Sequence, residues 1–390
     1  MGTLSFGHMM VDACQGAVPA LLPFLRADRH YSYAALSALV LAATVASSIV
    51  QPFFGHWSDR HSVPWLMPLG VILAPTGIAL ATLTPSYAAT FSALVLGGLG
   101  VAAFHPEGSR FANYVSGKDR ATGMSFFTVG GNLGFALGPL LVTPAVVVFG
   151  LHGASVLLVP ALVATAILVH ELPRLRTFRP QAGATVRRSA ATAGSAPRDQ
   201  WGEFARLTAV IGCRSFVYFG ILTFLPLYYV SVLHTSKAQG SLTLAALLVG
   251  GGVGTLTGGP LADRFGRRAV LLASMVCAPG LILAFLAAGP AVGAFVAFLI
   301  GAVTVSTFAV TVVMGQELLP DRIGLASGVT LGFGIGMGGV GAVLLGLVAD
   351  RLGLVRTFDV IAALPVLGLA FTLTLPRRPP LRTSVQGTSP

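Results

Sequence analysis

The chain has 390 residues, of which 54% are hydrophobic and only 9% charged, with a formal net charge of +11. A soluble domain usually carries about 25% charged residues, so this chain cannot cover a water-facing surface, and lipid is its natural solvent. The basic balance does not point to nucleic acid, because Lys and Arg stand in short stretches between apolar runs and no aromatic-basic RNA-binding signature accompanies them.

A membrane helix needs about 20 mostly apolar residues. Twelve runs meet that condition. In the first half they cover roughly 4–25, 34–54, 63–83, 87–104, 122–142 and 153–169, the fourth with room to continue to Asn113. In the second half they cover roughly 207–230, 242–261, 270–288, 292–314, 326–348 and 357–375. The first run lacks a basic stretch before it and ends in Pro23-Phe24-Leu25-Arg26, which predicts a span rather than a cleaved signal. The expected fold is an all-α membrane protein of twelve transmembrane helices in two pseudo-symmetric six-helix bundles, at 1–170 and 207–376. A polar, Arg- and Ala-rich linker (171–206) joins them and a short tail (377–390) follows.

Lys and Arg set the orientation. With the N-terminus cytoplasmic, eighteen of the twenty-four fall in inside segments, five outside, and Arg214 within a span. Both termini are therefore expected in the cytoplasm. Twenty-two arginines against two lysines, with abundant Ala and Gly, suggest a bacterial source and hence the inner membrane. Cys14, Cys213 and Cys277 lie far apart within apolar runs and read as packing residues.

The two halves echo each other. Gly55-His56-Trp57-Ser58-Asp59-Arg60 follows the second run, and Gly259-Pro260-Leu261-Ala262-Asp263-Arg264-Phe265-Gly266-Arg267-Arg268 follows the eighth. Gly123, Gly131 and Gly134 match Gly328, Gly336 and Gly339 at a constant offset of 205. A weaker copy, Gly346-Leu347-Val348-Ala349-Asp350-Arg351-Leu352-Gly353, stands at the outer end of the eleventh run, where an inverted three-helix repeat would place it.

Charges inside a membrane cost about 2.5–3.5 kcal/mol each on insertion scales, so each needs a reason. His8, Asp12 and Gln15 fall at i, i+4 and i+7, on one helical face. His105-Pro106-Glu107 and Arg110 follow at the end of the fourth run, where Pro106 is expected to disrupt the helix. Arg214 and Tyr218 lie one turn apart in the seventh run, where Arg214 suits a counter-ion to Asp12 or Glu107, or an anionic substrate group. Asn132 stands among glycines in the fifth, and Gln316-Glu317 end the tenth. His8, Asp12, His105 and Glu107 are competent metal ligands, but they belong to distant segments without a motif, so no metal and no cofactor is expected.

The Gly259 to Arg268 segment resembles the signature loop of the major facilitator superfamily. The Gly55 to Arg60 copy lacks the distal Gly-Arg-Arg. Within the superfamily, His8 to Leu25 with Asp12, Phe104 to Arg110, and Met314 to Pro320 resemble the fosmidomycin resistance branch, a set of proton-driven exporters. Gly134-Phe135-Ala136-Leu137-Gly138-Pro139 resembles the core of an antiporter motif without its trailing glycines.

The resemblance implies a proton-coupled exporter of a small molecule, and not an enzyme. Proton coupling would fall to Asp12, Glu107, His105 and His8. Substrate contacts would fall to Gln15, Arg110, Asn132, Arg214, Tyr218, Gln316 and Glu317. A conformational latch would be made by Gly55, Asp59, Arg60, Gly259, Asp263, Arg264, Gly266, Arg267 and Arg268. The expected partners are substrate, protons and lipid, with the chain a monomer and no nucleic acid bound. An importer of an organic anion or sugar is the alternative, and a membrane-embedded enzyme or sensor a more distant one. No Gly-x4-Gly-Lys-Ser/Thr loop is present to supply ATP drive.

Overall fold

The computed structural model describes residues 1–61, 63–117, 120–177 and 199–376, except the side chains at 52, 55, 58–60, 120, 121, 321, 323, 324, 327 and 331. The first half holds α1 (Gly2–Arg29), α2 (Tyr33–Arg60), α3 (Leu66–Leu83), α4 (Tyr87–Val115), α5 (Arg120–Phe149) and α6 (Leu158–Leu175). The second holds α7 (Trp201–Ser231), α8 (Lys237–Phe265), α9 (Arg267–Ala287), α10 (Pro290–Val305), α11 (Thr307–Leu318), α12 (Ile323–Gly328) and α13 (Gly334–Leu373). No strand occurs among the described residues.

Among the described residues, nine stretches are long and apolar enough to cross a membrane. Two of them are too long for one crossing. The stretch Thr122–Leu175 has 54 residues, about 80 Å of helix at 1.5 Å per residue, and it turns back at the 3-10 segment Gly150–Leu157. Gly334–Leu373 turns back at Gly353, whose φ of 81° suits a residue without a Cβ. With α1, whose polar face lowers its mean hydropathy, these make twelve crossings. Both described ends of the chain therefore share one face of the molecule.

Local chemistry places the starts of the helices. Ser32 caps α2 by accepting from the Ala35 N–H at 3.1 Å, and Ser236 with Gln239 forms a reciprocal capping box on α8. The helices run past the apolar runs. α4 continues unbroken through Pro106 to Val115, so Pro106 bends no helix into two. The proline leaves a backbone carbonyl without an N–H partner, a deficit that a helix at the protein-lined centre tolerates. The tenth crossing is divided at Ser306 into α10 and α11. The eleventh starts with α12 and a π-helical segment, Val329–Phe333. Helix α7 begins at Trp201, inside the expected linker, whose residues 178–198 lie outside the described ones.

Glycines let the helices touch backbone to backbone. A Cβ on Gly16 or Gly138 would overlap the carbonyl of Phe135 or Ala13, so α1 and α5 lie in direct contact. Gly250, Gly254 and Gly258 do the same for α8 against the α10 crossing. The antiporter-like segment around Gly134 and Gly138 thus faces α1 and serves close packing. The matched glycines of the repeat do not share one packing role. Gly134 faces Met9 of its own half, whereas Gly339 faces Leu41 and Thr44 of the other half. The π turn just before Gly334 inserts a residue into the α register and rotates the face that follows. Large apolar side chains such as Phe149 and Phe295 remain exposed on the perimeter, where lipid would cover them.

Candidate functional site

A cavity of about 350 Å³ lies between the halves, within the range of small-molecule sites. One wall is built by α1, where the 3.6-residue period brings His8, Asp12 and Gln15 to a single face. His105 enters from α4, and Asn132 and Gly131 from α5. The opposite wall carries Arg214 and Tyr218 from α7 and Phe308 from α11.

His8, Asp12 and His105 meet. His8 Nε2 is 3.2 Å from Asp12 Oδ2, and His105 Nε2 is 3.2 Å from Asp12 Oδ1. The two Nε2 atoms are themselves 3.2 Å apart. Each ring is held from behind: His8 Nδ1 donates to the Phe127 carbonyl at 2.8 Å, and His105 Nδ1 donates to the Val101 carbonyl at 2.9 Å, the tautomers following from this network. Asp12 and His8 are both buried, and the His8 ring stacks on Phe127 at 4.1 Å.

Arg214 is buried. Its guanidinium donates to Thr311 Oγ1 at 3.4 Å and lies 4.7 Å from the centre of the Phe308 ring. Among the described residues it forms no ion pair, because Asp12 is taken by two imidazoles and Glu107 by Arg110. Of the two roles open to Arg214, counter-ion or anion contact, pairing with either carboxylate is absent among the described residues.

Other expected site residues stand elsewhere. Glu107, fully buried, pairs with Arg110 at 2.6 Å, one turn apart on α4, and neither lines the cavity. Gln316 and Glu317 also lie outside it, and Glu317 pairs with Arg267. That position follows from the end of α11, which reaches the face where α8 turns into α9.

The signature loop binds its own half. Arg268 donates from Nη2 to the Leu373 carbonyl at 2.6 Å and from Nε to the Thr372 carbonyl at 3.2 Å, at the C-terminus of α13. Arg264 lies over the Phe265 ring, and Asp263 is exposed beside it. Gly259 has open space on its side-chain direction, and Gly266 makes the turn between α8 and α9. The side chains of Gly55, Asp59 and Arg60 lie outside the described ones.

The structure also adds residues that sequence reasoning missed. Ser47 and Gln51 of α2, Thr128 of α5 and Thr304 of α10 line the cavity. Their only signal was polarity within an apolar run, and Ser and Thr return their hydroxyls to helix carbonyls so readily that polarity alone does not single them out. Gly131 drew notice only as part of the repeat.

Twelve crossings in two halves, closing on a central cavity that carries a few charged and polar side chains, define a polytopic membrane transporter. The chain belongs to the Major Facilitator Superfamily, whose family profile matches residues 4–329 and 207–389. It is 36% identical to the uncharacterized MFS-type transporter YfnC of Bacillus subtilis (strain 168) over 372 residues, 94% of this chain and 90% of that one. It is 31% identical to the fosmidomycin resistance protein of Escherichia coli (strain K12) over 383 residues, 96% of this chain and 92% of that one. In fold it is similar to a bacterial homologue of the human lysosomal transporter Spinster, in an inward-facing and occupied conformation, with a TM-score of 0.75 at 15% identity, over 95% of each chain. It is likewise similar to the nucleoside transporter NupG, with a TM-score of 0.71 at 16% identity, over 96% of this chain and 99% of that one. The family is one of transporters rather than enzymes.

Proposed function

We propose that this protein is a proton-coupled exporter of a small molecule that works by alternating access, the two halves rocking about the central cavity. The observation that carries the reading is the cavity itself, with Asp12 gripped by two imidazoles on one wall and Arg214 on the other. A carboxylate at mid-membrane is expensive to keep unless it does work. In this reading Asp12 and Glu107 exchange protons with the substrate cycle, tuned by His8, His105, Arg110 and Arg214. The chain sits in the bacterial inner membrane as a monomer with both termini cytoplasmic, in line with its Lys and Arg distribution.

Arg214 favours an anionic group on the substrate, since the protein supplies it no carboxylate among the described residues. That observation also supports the second reading, a proton-coupled importer of an organic anion. Fosmidomycin is the first probe, because one relative is a resistance protein for it. The test is flux in vesicles with an imposed pH gradient. Asp12→Asn is expected to abolish proton-driven flux while the protein still inserts. Unchanged coupling in Asp12→Asn would sink the assignment. Uptake into inverted but not right-side-out vesicles supports export, and the reverse supports import.

A further inference from the structure

We propose that His8, Asp12 and His105 form a binding site for one divalent transition-metal ion of the zinc class, with a coordination position open to the central cavity. The ligand set stands on geometry alone. Its consequence for transport rests on the reading of the cavity given above.

The first observation is the direction of the lone pairs. Both Nδ1 atoms are committed to backbone carbonyls, at Phe127 and Val101. In the neutral rings, each Nε2 is therefore an acceptor. Two acceptor nitrogens and an acceptor carboxylate then converge, with 3.2 Å between the nitrogens and 3.2 Å from each nitrogen to an Asp12 oxygen. Three acceptors at that range repel unless something positive lies among them. Ligand atoms around a tetrahedral ion with bonds of about 2.0–2.1 Å stand roughly 3.3 Å apart. The two nitrogens stand at that spacing, each faces its own oxygen of Asp12, and one ligand atom from each residue falls within 4.8 Å of the others. A backbone carbonyl behind each ligating imidazole is also the outer-shell arrangement that fixes ring orientation at metal sites.

The second observation is Gly131. A Cβ at this position would sit 2.6 Å from both His8 Nε2 and Asp12 Oδ2. The absence of that one carbon keeps room on the face where the acceptors meet. Gly131 also lines the cavity, so the cleared space connects with it. A side chain there would leave all three ligands in the chain and still obstruct the ion.

The donor set chooses the ion. Two imidazole nitrogens and one carboxylate suit zinc, cobalt or nickel, whereas magnesium and calcium prefer oxygen. The fourth position, toward the cavity, would take water or an oxygen of the cargo. Since the ion and a proton compete for the same lone pairs, metal occupancy would oppose proton-driven flux.

The experiment uses the full chain, purified in detergent and stripped with a chelator, then titrated with Co2+. The expected result is the visible ligand-field absorption of tetrahedral cobalt, saturating at one ion per chain and displaced by Zn2+. His105→Gln and Gly131→Ala should each weaken the titration by at least about tenfold. X-ray absorption on the zinc-loaded wild type reads the ligands without any variant, and should give a nitrogen and oxygen shell with imidazole scattering. No cobalt absorption in the wild type, an equal titration in His105→Gln, or a zinc shell without imidazole would overturn the proposal and leave a proton-only site. Flux keeps the two readings apart. Proton-driven flux in chelator buffer, unaffected by Zn2+, would remove the metal and spare the transporter. Cobalt binding without flux of any tested substrate would do the opposite.

Discussion

Asp350 accepts the backbone N–H of Tyr33 at 2.7 Å, and through its other oxygen that of Ala34 at 3.0 Å. The carboxylate belongs to the second half and the amides to the first turn of α2, so one half caps a helix of the other. Anions are favoured at such a terminus by the unpaired N–H groups and the helix dipole. Gly346, one turn earlier, allows this approach, since a Cβ there would press on Ala34 and Ser37. The weak third echo of the signature segment is therefore a contact between the halves, on the face opposite the chain termini.

Asp350→Ala is expected to release this cap. Loss of an N-cap costs about 0.5–2 kcal/mol, so the amides of Tyr33 and Ala34 should exchange with deuterium about twofold to thirty-fold faster. Mass spectrometry of the peptide spanning the start of α2 reads the change. Unaltered exchange would mean that the cap does not hold the halves together.

Arg214→Gln separates a binding role from a structural one. A buried charge without a carboxylate partner among the described residues keeps its desolvation cost uncompensated, so removing it should not destabilise the fold. The ligand-free variant should therefore melt no lower than the wild type, while an anionic substrate should no longer raise its melting temperature. A marked fall in the ligand-free melting temperature would instead assign Arg214 to the scaffold.

Gly16→Ala tests the contact of α1 with α5. The added Cβ would collide with the carbonyl of Phe135, and backbone cannot swing aside as a side chain can. Overpacking typically costs about 1–3 kcal/mol, to be read as a lower melting temperature in detergent. Gly280→Ala, with open space at its side-chain direction, is the control and should melt near the wild type.

Arg268→Ala should loosen the end of α13. The guanidinium meets two carbonyls there, at Thr372 and Leu373, and a cation at a helix C-terminus contributes about 0.3–1 kcal/mol. Faster deuterium exchange confined to the last turns of α13 is expected, with little effect near α2. Exchange that rises equally in both halves would make the signature loop a tie between them.

Much of the architecture was legible from hydropathy alone. Apolar runs of about 20 residues can satisfy their backbone in lipid only as helices, so the twelve crossings follow directly. Their length beyond the apolar core, the break at Ser306 and the passage of α4 through Pro106 were not legible, because packing against protein replaces lipid as the arbiter there. The face shared by His8, Asp12 and Gln15 was readable, since helical periodicity is a local rule.

The sequence by itself determined the solvent, the number of crossings, the duplicated scaffold and the polar face of α1, because each depends on composition or on spacing along one helix. Only the tertiary structure decided which polar groups meet. His105, 97 residues from His8, completes the cluster around Asp12. Glu107 turns to Arg110 instead of the cavity, and among the described residues Arg214 meets a hydroxyl and a ring rather than a carboxylate. Such choices depend on how each helix is rotated and how closely its glycines let it approach, and those are properties of the packed ensemble of helices rather than of any one of them.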